Sequence, residues 1–276
     1  MYPDLKGYMF DLDGVLWFGK NPIPQAKETV EILKAEGKKI MFVSNTSSRS
    51  RQDNLDRFEE MGIPVSEHEL FVASEETAKH LASLKPKGRA CVLGSPGLLR
   101  ELERADLEAL PPNSAPADSF DFLVVGKDQT INYEKLTYAF QVIQAGALLV
   151  AINTDVVVPG NEGLEPGAGA IVAMFSSMIE RPADIMIGKP GTFLLEQALE
   201  EAKLTANDCV MVGDTLYSDI AAGNRLGMLT ALVLTGNTSK KDLNRELPQE
   251  QLPDLVLDSV WDLVPEEIRR KGLVRR

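Results

Sequence analysis

Cysteine and histidine are scarce, with two of each in a chain of 276 residues. Cys91 and Cys209 lie far apart, each inside an apolar run, which excludes a disulfide framework and reads both as small core residues. His68 and His80 have no Cys or His neighbour at metal-ligand spacing, so a zinc site is not indicated and both read as solvated surface residues. No apolar run approaches the length that spans a bilayer, and Met1-Tyr2-Pro3-Asp4 forms neither a basic nor an apolar leader segment. The expectation is a cytoplasmic protein with no membrane partner. Basic charge is also in deficit, with Lys+Arg 29 against Asp+Glu 41 and a formal net charge of -12. That balance disfavours nucleic acid, because a broad anionic surface repels a polyanion. It leaves room for a small phosphorylated ligand, since local N–H groups, one Lys and a divalent cation outweigh a weak global field. Internal repeats and low-complexity tracts are missing as well.

What is present is the ordinary balance of a globular chain, with 44% hydrophobic and 25% charged residues, long enough for one large or two ordinary domains. The organising stretch is Gly7-Tyr8-Met9-Phe10-Asp11-Leu12-Asp13-Gly14. Four residues read as a strand buried on both faces, and the run stops at two carboxylates spaced to share one side of an extended backbone. Like charges this close call for a cation between them or a division of labour, although Asp and Gly are also ordinary turn formers. Apolar spacing predicts a helix over 24–36 and a second buried strand over 39–43, which ends in Ser44-Asn45-Thr46-Ser47-Ser48. A strand, a helix and a strand in so short a span form a βαβ unit, placing both carboxyl ends on one sheet edge, where open α/β sheets bind ligands.

Further helices are expected over 51–61 and 74–84, with a strand at 70–73 between them. A polar break at Lys85-Pro86-Lys87-Gly88 reads as a domain boundary. Beyond it, strands at 90–93, 122–125 and 148–152, with helices over 96–105 and 133–145, form a second α/β segment, and a helix over 169–179 leads on from it. The stretches 110–119 and 159–169 read as loops. The last third returns to buried strands at 185–187, 208–212 and 229–234, with an edge strand at 255–257 and helices over 192–203 and 218–226.

Four polar clusters thus stand at the ends of buried strands: Asp11 with Asp13, Ser44-Asn45-Thr46, Lys189-Pro190, and Asp214 with Asp219. Each has an ordinary explanation alone, since Ser44, Asn45 and Asp214 could cap helices, Asp219 could be a first-turn acid and Lys189 a solvated loop residue. Together they would be four coincidences at one sheet edge.

In order and strand context, Asp-Leu-Asp-Gly, Ser-Asn-Thr, Gly-Lys-Pro and Gly-Asp-Thr-Leu-Tyr-Ser-Asp-Ile resemble the four motifs of the haloacid-dehalogenase-like phosphatases. The surplus of chain between Thr46 and Lys189 resembles the branch of 4-nitrophenyl, nucleotide and pyridoxal phosphate phosphatases, which carries its cap there. Trp17-Phe18-Gly19 resembles that branch's flap, and Asn153-Thr154-Asp155 and Pro166-Gly167-Ala168-Gly169 resemble its cap loop and return to the core. The resemblance implies an α/β fold, with a Rossmann-like parallel-sheet core over 1–86 and 174–276 and an inserted α/β cap over 87–173. It implies a Mg²⁺-dependent phosphatase for small phosphomonoesters such as 4-nitrophenyl phosphate. Asp11 would be the nucleophile and Asp13 the acid and base; Asp11, the Asp13 carbonyl and Asp214 would hold the metal, and Asp219 would orient its water. Ser44, Asn45 and Lys189 would face the phosphoryl oxygens, and Asn153 and Asp155 would set substrate specificity. The expected partner is a small phosphorylated metabolite, with self-association through the cap. A catalytically weak metabolite-binding or regulatory protein on the same fold remains the alternative. A dehalogenase has no use for Asp13, and a sugar phosphomutase of this kind would need a cap before Ser44, where there is no room.

Overall fold

The computed structural model describes residues 5–160 and 163–273. The chain divides into two compact units. One comprises Met1–Ser44, Leu55–Phe71 and Leu195–Arg276; the other comprises Asn45–Asn54 and Val72–Leu194.

The first unit is built on a sheet of six parallel strands. Their spatial order is Leu255–Leu257, Leu229–Val233, Cys209–Gly213, Gly7–Phe10, Lys39–Ser44 and Leu70–Val72. Gly7–Phe10 is buried throughout and pairs with Cys209–Gly213 on one side and Lys39–Ser44 on the other. From this central strand the chain winds first toward Leu70–Val72, then returns to build the opposite half. The strand order therefore reverses at Gly7–Phe10, and a reversal of this kind leaves a crevice beyond the carboxyl ends of the strands. The helix Ala26–Ala35 buries Ala26, Thr29, Val30 and Leu33, the spacing of one helical face. Below that edge, Phe58 stacks obliquely on Phe42 at 4.7 Å and meets the Trp17 ring edge-on at 5.0 Å. The expected flap is a small antiparallel hairpin of Trp17–Phe18 with Asn21–Pro22.

The second unit has its own parallel sheet, ordered Ile185–Met186, Leu148–Ala151, Phe122–Val125, Arg89–Leu93 and Glu108–Leu110. Alternate residues Cys91, Leu93, Leu123, Val125, Leu149 and Ala151 line one face and pack on Ala139, Val142, Val172 and Phe175 from the helices Tyr133–Gln144 and Ala168–Met178. Its strands are buried on the opposite face too, through Ala90, Val92, Val124 and Val150. This explains their unbroken apolar character.

Three expectations differ here. Ile185–Met186 pairs with Leu148–Ala151, so the chain leaves this sheet well after residue 173. The stretch around 159–169 carries an antiparallel hairpin of Val157–Gly160 with Gly163–Pro166 where a loop was expected, since its Gly and Pro residues mask the pairing. Glu108–Leu110 forms an edge strand that runs into the start of the stretch 110–119, where a loop was expected. His68 is exposed as expected, but His80 is half-buried with its ring 4.8 Å from Phe193. Both cysteines are free and buried, and burial pushes each thiol up to about 12, which keeps them protonated and inert at neutral pH. Among the described residues no helix is long and apolar enough to cross a membrane.

Phe175 is fully buried at the centre of the second unit's core. Phe175→Ala should lower stability by about 3–5 kcal/mol through lost burial and the cavity left behind, read as a shifted midpoint in urea. A loss under about 1 kcal/mol would mean that this core readily collapses around the gap.

Candidate active site

Asp11 directly follows the central strand, and its N–H donates to the Val212 carbonyl at 2.9 Å. Pairing of Phe10 with Val212 puts Asp11 alongside Gly213, so Asp214 stands one residue beyond, across the reversal point. Asp219 lies in the wide helical turn Leu216–Ile220 that follows. Carboxylate oxygens of Asp11, Asp214 and Asp219 all lie within 4.8 Å of one another. Asp214 and Asp219 are buried, and Asp11 is partly so. Three carboxylates this close in a poorly solvated place repel strongly unless protons or a cation sit among them. Hard carboxylate oxygens suit a hard divalent cation. The cluster could therefore hold a metal ion.

Local backbone geometry fixes these acids. Asp219 Oδ2 accepts the N–H groups of Asp214 (3.2 Å) and Thr215 (3.0 Å), so it both joins the cluster and closes the loop carrying Asp214. Asp214 Oδ2 accepts the Asn237 N–H at 2.6 Å, and its Oδ1 accepts the Thr215 hydroxyl at 3.0 Å. These charge-assisted bonds hold the carboxylate in one orientation. The Thr235 hydroxyl donates to the Gly14 carbonyl at 2.5 Å, joining the loops after two strands. Gly14 adopts φ +85° and, like Gly236, packs so tightly on Asp214 that a Cβ at either position would overlap Oδ2. Both glycines are required by close approach, and Gly14 also by its backbone.

Asp13 is turned to a different environment. Trp17 Nε1 donates to Asp13 Oδ1 at 3.1 Å, and an Arg57 guanidinium nitrogen lies 3.6 Å from the same oxygen. The Asp13 side chain stays 52% exposed. Its carboxylate is not among the three that cluster, which fits a division of labour between the two acids of the opening motif.

Ser44 ends the strand Lys39–Ser44 and is buried. Asn45, the next residue, gathers the remaining expected residues. Its amide oxygen accepts the Lys189 N–H at 2.7 Å and its amide nitrogen donates to the Lys189 carbonyl at 2.8 Å, a two-point grip on one residue's main chain. The same nitrogen lies 3.2 Å from Asp155 Oδ2. Asn153 donates to the Asn45 carbonyl at 2.5 Å, and its Oδ1 accepts the Asp155 N–H at 3.1 Å in an Asx turn. Lys189, 1% exposed, is a buried cation whose main chain is thus fixed on both sides of its Cα.

The structure therefore brings Asp11, Asp214 and Asp219 together in the first unit, and Asn45, Asn153, Asp155 and Lys189 together in the second. Sequence reasoning missed Gly236 and Asn237, which shape Asp214, and the Trp17 and Arg57 contacts to Asp13. Thr235-Gly236 at the end of an apolar strand was the available signal for the first pair. Gly236→Ala should force Asp214 aside and weaken divalent-metal affinity about 10–100-fold, the usual effect of disturbing a ligand's support, measured by titration calorimetry on the folded variant. Unchanged affinity would separate Asp214 from metal binding.

The profile of haloacid dehalogenase-like hydrolases matches residues 8–108, and a HAD-hydrolase-like profile matches residues 186–263. The chain is 33% identical to 5'-nucleotidase YutF of Bacillus subtilis over 94% of its own length and 98% of that protein's. It is 34% identical to the glycerol-3-phosphate phosphatase of Homo sapiens, covering 95% of this chain and 91% of that one. Among solved structures, p-nitrophenyl phosphatase from Archaeoglobus fulgidus superposes with a TM-score of 0.87 at 39% identity, over 95% of this chain and 98% of that one. The 4-nitrophenylphosphatase from Thermotoga maritima gives 0.84 at 30% identity, over 94% and 96%. Full-length identity of this order, on a fold whose strand-end acids fall at the reversal point, makes the chain a phosphatase of the haloacid dehalogenase-like hydrolase family.

Proposed function

We propose that this enzyme hydrolyses small phosphomonoesters with Mg²⁺ through an aspartyl-phosphate on Asp11. The observation that carries the reading is the convergence of Asp11, Asp214 and Asp219 at the carboxyl edge of the central strands. Relatives named as a 5'-nucleotidase, a sugar-phosphatase and a glycerol-3-phosphate phosphatase support a small phosphorylated substrate class.

An Asp11 carboxylate oxygen attacks phosphorus, the bond from phosphorus to the ester oxygen breaks, and that oxygen takes a proton from Asp13. Water then attacks the phosphoryl group and gives its proton to the Asp13 carboxylate. The bond to Asp11 breaks, inorganic phosphate leaves and both acids are restored. One displacement is thereby divided into two easier ones. Mg²⁺, held by Asp11, Asp214 and the Asp13 carbonyl with Asp219 supporting, would neutralise charge on the phosphoryl oxygens. The Ser44 hydroxyl, the Asn45 N–H and the Lys189 ammonium stabilise the same oxygens as charge spreads over them. Asn45 keeps Lys189 in place by its two-point grip. Asn153 and Asp155, both in contact with Asn45, would set specificity among substrates with different leaving groups.

Metal-replete protein should release phosphate from a panel of 4-nitrophenyl phosphate, nucleotides, sugar phosphates and phosphoglycolate, and chelation should abolish release. Asp11→Asn should lower kcat by at least about 10³-fold with the fold intact, whereas Asp214→Asn should mainly raise the metal concentration needed for half-maximal rate. Folded, metal-replete protein that releases no phosphate across the panel would favour the regulatory alternative.

A further inference from the structure

Arg57 has no role in the reaction above, yet its side chain is only 13% exposed and converges on the residue that must move the proton. It stands on the helix Arg51–Met61 and makes three contacts with the segment after the central strand. One guanidinium nitrogen donates to the Gly19 carbonyl at the hairpin tip. The guanidinium lies over the Trp17 ring, 5.0 Å from its centroid. It also lies 3.6 Å from Asp13 Oδ1, the oxygen that accepts the Trp17 indole N–H. Trp17 is fully buried and braced edge-on by Phe58, the next residue of the same helix. The Trp17 carbonyl accepts the Gly14 N–H at 2.7 Å, closing the turn that carries Asp13.

Magnitudes indicate what this arrangement is for. A partly exposed ion pair at 3.6 Å contributes too little to explain a buried arginine by itself. A half-exposed carboxylate would ordinarily exchange rotamers on the ps–ns scale. Here one oxygen of Asp13 is held by an indole, and that indole is locked between an aromatic ring and a guanidinium. The device restrains direction more than it adds stability, and direction governs proton transfer to a departing oxygen.

We propose that Arg57 is a positioning residue for proton transfer: through Trp17 and the hairpin it holds the Asp13 carboxyl aimed at the leaving-group oxygen. This rests on the phosphatase reading above. The simpler alternative is that Arg57 only ties the hairpin to the helix, in which case its loss would slow all substrates alike. Leaving groups separate the two. A 4-nitrophenolate departs with little help, whereas the more basic phenolate needs the proton as its bond breaks.

The experiment compares kcat/KM for 4-nitrophenyl phosphate and phenyl phosphate, which differ only in the para nitro group, as ratios to wild type, in Arg57→Met, Arg57→Lys and Trp17→Phe, with thermal melting of each protein. Arg57→Met should lose at least about tenfold more on phenyl phosphate than on 4-nitrophenyl phosphate, since a positioned acid contributes about 10²–10⁴-fold. Arg57→Lys should recover part of the loss on phenyl phosphate and keep a smaller bias, and Trp17→Phe, which lacks the N–H, should show the same bias as Arg57→Met. If Arg57→Met does not fold, the bias in the other two variants decides. Equal losses on both esters, or none, would overturn the proposal. Wild-type protein that cleaves neither ester with Mg²⁺ present would remove the phosphatase reading and this inference with it.

Discussion

Mutual repulsion of three carboxylates organises the first unit of this protein. Asp11 is distant in sequence from Asp214 and Asp219, and nothing in their own chemistry favours bringing the three carboxylates within 4.8 Å. The sheet imposes it, because Gly7–Phe10 and Cys209–Gly213 are locked in parallel register and both end at one edge. Burial of those strands provides the stabilising free energy that offsets the repulsion, which protons or a bound cation would relieve. A site of this kind is held in readiness by the core beneath it.

The supports around the acids follow from the same constraint. Repelling side chains would swing apart if their loops allowed it, so each is tied down. Asp219 folds back to accept two backbone N–H groups, and Asp214 is held by Asn237 and Thr215 with glycine packed against it. Asp13 stands apart from the cluster, against Trp17 and Arg57. In the second unit the logic is repeated with opposite charge, where Asn45 fixes the main chain of a buried Lys189 by both its N–H and its carbonyl.

Much of this was legible in the sequence because parallel strands buried on both faces read as unbroken apolar runs, and the polar residues that end them stand out. Phe10-Asp11 and Gly213-Asp214 carry that signature, and the helices Ala26–Ala35 and Arg51–Met61 show in their spacing or their bounding Gly. What escaped depends on partners rather than on local pattern. Two residues at Ile185–Met186 cannot announce which sheet they will join, and the hairpin Val157–Pro166 is hidden by its Gly and Pro. Arg57 reads as one charge on a polar helix, and only the folded chain brings it to Asp13 and Trp17. The gathering of Asn153 and Asp155 onto Asn45 is likewise a contact between distant loops, and no spacing rule encodes it.

The central claim is that the acid cluster serves covalent catalysis on Asp11. Rapid acid quench of enzyme, Mg²⁺ and a phosphate-labelled ester, followed by peptide mapping, tests it most directly. Label is expected on the peptide containing Asp11, appearing within the first turnover and absent from Asp11→Asn protein. Turnover without labelled protein at any quench time, or label on a peptide lacking Asp11, would contradict it.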